Sequence, residues 1–121
     1  MKYMLLIYSD PQAWANVSEA HQGAMMGEYF AFTQSIIDSG EMVAGDPVQG
    51  IETASTVTVR EGARVVTDGP FAETKEVLGG YYIVDVASVE RAQELAAQIP
   101  DARTGKVEVR PIMEMPAEMA H

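Results

Sequence analysis

The densest supply of reactive side chains in this sequence is the run Asp68-Gly69-Pro70-Phe71-Ala72-Glu73-Thr74-Lys75-Glu76. Held over a cavity, Asp68 can act as a general base and Lys75 can neutralise a developing anion. A loop carrying such groups on a rigid scaffold is a common place for function. The same residues also make an ordinary crossover. Gly69 tolerates turn conformations, Pro70 fixes its own φ, Phe71 anchors the loop to the core and Asp68 bonds nearby amides. Glu73, Lys75 and Glu76 are then a solvated charge run. Both readings stand on the residues alone.

Four further side chains could line a ligand site. Tyr8 ends an apolar run beside the turn signal Ser9-Asp10-Pro11, and either offers its hydroxyl to a cavity or is a core residue with a wet tip. Tyr81 and Tyr82 are consecutive, so in a strand they point to opposite faces and one of them meets a cavity or an interface. Arg110 alternates with Val109. It can grip a carboxylate with two hydrogen bonds, or simply pair with Glu108 or another surface acid. With Phe71 these are the expected ligand contacts. His21 and Glu28 lie two helical turns apart, on one side of a helix but too far apart to share a metal, and His21 reads as a solvated helix residue. No metal and no cofactor are expected. The chain has 0 cysteines, which removes disulfides, thiolate nucleophiles and Cys-ligated zinc or iron–sulfur centres. It has no phosphate loop, nucleophile elbow or dinucleotide fingerprint, since Gly79-Gly80 precedes a strand rather than a helix.

Composition bounds the partners. The 121 residues, 47% of them hydrophobic, suit one domain over 1–121 with a packed core. A formal charge of −10, with the 8 Lys and Arg scattered, argues against nucleic acid and against an anionic membrane surface. The opening run Met1–Tyr8 is too short for a signal-peptide core with its cleavage region and far too short to span a bilayer. A cytoplasmic protein is expected.

These side chains need elements to position them. Tyr3–Tyr8 is a continuous apolar run of strand length without polar alternation, which predicts a strand buried on both faces. Trp14 falls in the loop that follows. Ser18 is an N-cap, and from there to Ser39 two parallel sets keep helical spacing: Met25, Tyr29, Phe32 and Ile36, then Met26, Phe30, Thr33 and Ile37. Together they predict one broad apolar face, and Gly40 ends the helix. A short strand begins at Glu41–Gly45 and breaks at Asp46-Pro47. Ser55–Arg60 and Arg64–Thr67 flank Glu61-Gly62 as a hairpin. Asp68–Gly79 is a polar loop, and Gly80–Val86 is a strand apolar on both faces through most of its length. Ser88 caps a second helix carrying Val89, Ala92, Ala96 and Ile99, which Pro100 stops. Lys106–Arg110 is a last strand with Val107 and Val109 inward, and Met113–His121 is a Met-rich tail.

The order β-α-β-(hairpin)-β-α-β predicts an α+β domain, a ferredoxin-like split β-α-β with an antiparallel sheet and two helices on one face. The helices leave the second sheet face bare, and that face is apolar. An apolar patch of that size usually marks an interface. Two such sheets packed face to face make a homodimeric α+β barrel; the competing reading lets the Met-rich tail cover the sheet within one chain.

The Asp68–Glu76 motif, followed by Leu78-Gly79-Gly80-Tyr81-Tyr82, resembles the signature of the YCII-related proteins, in their DGPF-domain branch. The likeness extends to Met1–Tyr8, to Glu28-Tyr29 with Phe32-Thr33, and to Val107–Ile112, so it covers nearly the whole chain. The resemblance implies the ferredoxin-like fold and the dimeric α+β barrel. It implies no single reaction: some fold relatives isomerise or dehalogenate small lactones and others are small monooxygenases. Members are often encoded near extracytoplasmic-function sigma factors. YCII-type proteins are associated with a His–Asp pair, and neither His21 nor His121 matches that histidine. The expected function is therefore binding of a small organic ligand in the cavity of a homodimer, with acid/base chemistry. The alternative is a non-catalytic regulatory or protein-binding module linked to a sigma factor.

Overall fold

The computed structural model describes residues 1–116. Six strands and three α-helices follow in the order β1 (Lys2–Ser9), α1 (Pro11–Ala15), α2 (Glu19–Asp38), β2 (Met42–Pro47), β3 (Ser55–Arg60), β4 (Ala63–Asp68), β5 (Val77–Asp85), α3 (Val89–Gln98) and β6 (Lys106–Pro111). Single turns of tighter helix sit at Ile51–Thr53 and Pro100–Arg103. Four strands form one antiparallel sheet in the order β2-β5-β1-β6, while β3 and β4 pair only with each other. This is the ferredoxin-like α+β arrangement, with a hairpin inserted between its second and third sheet strands.

Register decides which side chains see the helices. Leu5 lies opposite Tyr82 on β5 and Val109 on β6, and Tyr3 lies opposite Val84. These inward residues join Ile7, Phe32, Ile36, Ala92, Leu95 and Ile99 in one core. The alternate set on the outer face, Met4, Leu6, Tyr8, Tyr81 and Ile83, is half-buried. The expectation that the first strand is buried on both faces therefore holds within one copy only for the helix side. The reason is topological: both covering helices pack on the same side of the sheet.

The helix starts follow capping chemistry. Ser18 Oγ accepts from the His21 N–H at 3.1 Å, and Ser88 Oγ accepts from the Arg91 N–H at 3.1 Å. At the end of α2, Gly40 takes φ 78°, a left-handed value that a side chain resists. The hairpin turns on Glu61 and Gly62 at φ 52° and 77°.

Four details differ from expectation. Trp14 lies in α1 rather than in a loop, because Asp10 Oδ1 accepts from the Gln12 N–H at 2.9 Å and Pro11 fits the first helical position. Asp46-Pro47 belongs to β2 instead of breaking it. Pro47 is tolerated because β2 is an edge strand and needs no donor on its open side. The strand β5 begins at Val77, ahead of the double glycine. Phe71 anchors nothing: its side chain is 90% exposed. The hairpin it follows is a separate two-stranded sheet with exposed Val57, Val59, Val65 and Val66, so the loop has no core beside it.

An ion pair ties Glu41, just before β2, to α3. The Arg91 guanidinium donates from Nε to Glu41 Oε2 at 2.8 Å and from Nη2 to Oε1 at 2.9 Å. These bonds, with one from Ser39, hold the Glu41 carboxyl down to about 2 from an ordinary 4.5. A depressed folded-state value adds stability that is complete above the unfolded value and disappears as pH falls through the folded one. The melting temperature should therefore decline between pH 4.5 and about 2. Glu41→Gln should flatten that decline, measured by calorimetry across the acid range.

Candidate functional site

At the end of the sheet where β1 finishes and β5 starts, the helices do not close onto the strands. A cavity of about 620 Å³ opens there on the helix side. Its floor is Ile7 and Ser9 of β1, Gly79, Gly80 and Tyr82 of β5, and Met42 with Gly45–Pro47 of β2. One wall is α2, through His21, Met25, Met26, Tyr29, Phe30 and Thr33. Ala13 and Trp14 of α1 stand over the opening, with Asp101 and Thr104 at the far side.

Each wall has a local cause. The Ser18 cap starts α2 where its first turn places His21 at the rim. The Asp10 cap starts α1, and the Gln22 side-chain amide donates to the Trp14 carbonyl at 3.1 Å, tethering α1 against α2. Phe32 and Ile36 of α2 are buried against the sheet and Met25 is buried in the cavity wall, whereas Met26 and Phe30 are exposed and line the opening, with Phe30 72% exposed. Glycine makes the floor low. A Cβ on Gly80 would stand 3.1 Å from the Pro47 Cα, and one on Gly45 would stand 2.7 Å from Tyr82 Cδ1.

The polar groups are few and converge. The Tyr29 hydroxyl donates to Asp101 Oδ2 at 2.8 Å across a sequence separation of 72 residues. Burial first, then that bond to Asp101, pushes the Tyr29 phenol well above its ordinary range, so it remains a neutral donor. Thr33 Oγ1 and the Tyr82 hydroxyl lie 2.7 Å apart, with either as donor. Two hydroxyls share one bond, so one proton is left to offer elsewhere. The Tyr82 ring meets Phe32 edge-on, with centroids 5.2 Å apart at 77°. Asp10 and Asp101 line the cavity, with His21 at its rim and no Lys or Arg among the lining residues; Asp46 borders it from β2, but its carboxylate meets Tyr81 on the outer sheet face. What this arrangement can do is enclose an apolar body and accept hydrogen bonds or a proton from it.

Tyr82 is the one expected contact that lines the cavity; Asp68, Lys75, Tyr8, Phe71, Tyr81 and Arg110 do not. The structure instead gathers Tyr8, Tyr81 and Arg110 on the outer sheet face. Tyr81 lies opposite Leu6 and Arg110 opposite Met4, and the Tyr81 hydroxyl donates to Asp46 Oδ2 at 3.1 Å. Asp68 is the exposed last residue of β4, opposite Ser55, and Lys75 is exposed in the loop after it. Glu76 of that loop pairs with Lys106 at 2.5 Å. Glu28 pairs with Arg103 at 2.7 Å, on the exterior. Among the described residues no three His, Asp or Glu side chains gather as a metal site requires; His121 lies outside them.

Trp14, Phe30, Tyr29 and Asp101 line the cavity in addition to the expected contact Tyr82. The first had a signal, since Asp-Pro opens helices as well as turns. The second did too: two full apolar stripes on one helix are more than a single sheet face needs.

The family model of the YCII-related domain matches residues 1–116. The chain is 34% identical over 116 residues to a protein of Rhizobium meliloti (strain 1021) described as uncharacterized protein R00369, covering 93% of this chain and 92% of that one.

Proposed function

Since the chain belongs to the YCII-related family, whose match runs over residues 1–116, we propose that it binds a small organic molecule in the cavity between α2 and the end of the sheet. One observation carries this reading. The cavity, about 620 Å³, has mostly apolar and aromatic walls and a few convergent polar groups, which is the make-up of ligand pockets. The acid/base groups at the cavity are Asp10, Asp101 and His21. Asp68 and Lys75 stand outside it, at the exposed end of β4 and in the loop that follows.

The chain's 1 tryptophan is Trp14, at the cavity's opening, so its emission reports on occupancy. Lactones, hydroxyacids, amines and aromatic alcohols titrated against that emission should yield a saturable change for at least one class. The same compound should raise the melting temperature with concentration, as mass action requires. A screen with neither response, on protein that is folded by circular dichroism, overturns the reading.

The reading includes a homodimer. Met4, Leu6, Tyr8, Tyr81 and Ile83 make the outer sheet face apolar, and a second copy packed there would bury it. Leu6→Lys should then convert a dimer to a monomer in light-scattering mass measurements at micromolar concentration. A monomeric parent protein would sink this part alone.

A second reading, a protein-binding module with a sigma factor as one candidate partner, draws on a different feature. Exposed Val57, Val59 and Val66 of the hairpin stand near a fully presented Phe71 in sequence and offer an apolar contact surface. Co-purification that is lost on Phe71→Ser would favour it; retention of the same partner by that variant would count against it.

A further inference from the structure

Among the described residues, the Thr33–Tyr82 pair leaves one hydroxyl proton in the cavity without an acceptor, and that proton narrows the ligand. Resting on the reading that the cavity is a ligand site, we propose that its occupant is an uncharged molecule with an apolar or aromatic body, whose carbonyl oxygen accepts from this pair. Tyr82 is 8% exposed, the most deeply buried hydrogen-bonding side chain in the lining. Its hydroxyl lies 2.7 Å from Thr33 Oγ1, and neither oxygen has a second partner among the described residues. Each hydroxyl carries one proton, and the single bond between them uses one of the two. If Thr33 donates, the Tyr82 proton is uncommitted; if Tyr82 donates, the Thr33 proton is. A donor remains in both cases, on a largely apolar floor with Ile7 and Gly80. A buried donor without an acceptor costs free energy, so the site gains by receiving one.

The other polar groups at the cavity are already partnered or wet. Tyr29 commits its proton to Asp101, and Asp10 accepts from the Gln12 N–H. Ser9 is half-buried, while His21 and Thr104 are exposed and open to water. The ligand's charge follows from what is absent. No Lys or Arg lines the cavity, so a ligand carboxylate would lose its water with no cation to replace it. A ligand ammonium has donors only and cannot accept the spare proton. A carbonyl oxygen is uncharged and carries two lone pairs near its own plane, which matches one neutral donor. The rings of Trp14, Tyr29 and Phe30 offer the rest of the molecule aromatic and apolar contact.

The test is a series of one shape on a phenyl body: acetophenone, isopropenylbenzene, in which a methylene replaces the carbonyl oxygen, and benzoate. Affinities are measured by equilibrium dialysis at neutral pH for the full-length protein, for Thr33→Val, for Tyr82→Phe and for the double variant. The double variant removes both hydroxyls and leaves no orphan, so it should stay folded. In it the ratio of acetophenone to isopropenylbenzene affinity should fall about fivefold, the worth of one net hydrogen bond. Each single variant keeps one hydroxyl and its proton, so there the ratio should fall by less than about twofold. Benzoate should bind the parent protein about tenfold more weakly than acetophenone. A second readout needs no variant. The carbonyl stretch of isotope-labelled acetophenone on the parent protein should lie below its position in hexane, because a donated hydrogen bond weakens the carbonyl. A ratio unchanged in the double variant, or a bound carbonyl stretch at the hexane position, overturns the carbonyl assignment while leaving the cavity as a site. So does benzoate that binds as tightly as acetophenone. Absence of binding by all three compounds overturns the carbonyl assignment and the cavity reading together.

Discussion

Leu5→Ala should destabilise the protein by about 3 kcal/mol, whereas Leu6→Ala, one residue further along the same strand, should cost less than about 1.5 kcal/mol in dilute solution. The contrast comes from the pleat. Leu5 is 0% exposed on the central strand β1, between Tyr82 and Val109 and beneath the helices. Truncating it removes apolar contact area and leaves a hole that close-packed neighbours fill only in part. Leu6 points to the outer face and is half-buried, so the vacated space is open to water. Domains of this size are stable by roughly 5–15 kcal/mol, so the first change removes a large share of the margin and lowers the melting temperature by about 10 °C. Urea unfolding of both variants at low micromolar concentration measures the difference. A second copy on the outer face makes a further prediction from the same pair: the cost of Leu6→Ala should rise with protein concentration while that of Leu5→Ala does not. Equal costs at every concentration would mean that the two faces of β1 are equally packed, contrary to the register of this sheet.

That same strand illustrates what the amino-acid sequence makes legible. Tyr3–Tyr8 is recognisable as a strand from its run of apolar, strand-favouring residues, and α2 from its cap at Ser18, its 3.6-residue period and its terminating glycine. Local rules of that kind act within a few residues and can be read one segment at a time. Which of two apolar faces meets the helices is a different matter. Alternation cannot separate Tyr81 from Tyr82 when both sides of β5 are apolar; pairing with Leu5 across the sheet does so. The cavity depends on long-range geometry in the same way. Asp101 reaches Tyr29 only because the turn after α3 returns beside α2, 72 residues along the chain. Asp68 and Lys75 are reactive types within one short stretch of sequence, but nearness along the chain does not supply walls. The residues that enclose space here come from α1, α2, β1, β2, β5 and the turn at Asp101, and no short motif records that convergence.

Gly45→Ala should weaken ligand binding by more than about tenfold and lower stability by about 1–3 kcal/mol, the range for overpacking a formed interior. The substituted methyl would lie 2.7 Å from Tyr82 Cδ1 and 3.1 Å from both Cε1 and the Tyr81 carbonyl oxygen, closer than packed carbon atoms approach. Relief has to come from the ring. Tyr82 is held by its hydroxyl to Thr33 at 2.7 Å and by the edge-on contact with Phe32, so its displacement breaks one or both and changes the cavity floor. An opposing effect exists, because alanine restricts the unfolded chain more than glycine and gains about 0.4–1 kcal/mol where its backbone fits. The clash exceeds that gain, so the net sign is destabilising. A double-mutant cycle separates steric from backbone causes. In a Tyr82→Leu background the methyl meets a smaller, more compliant side chain, and Gly45→Ala should then be nearly neutral, giving a coupling within the 0.5–3 kcal/mol seen for contacting residues. If Gly45→Ala is instead neutral in the parent protein, with unchanged ligand affinity, Tyr82 is not fixed across the cavity floor, and the shape on which the binding proposal rests is lost.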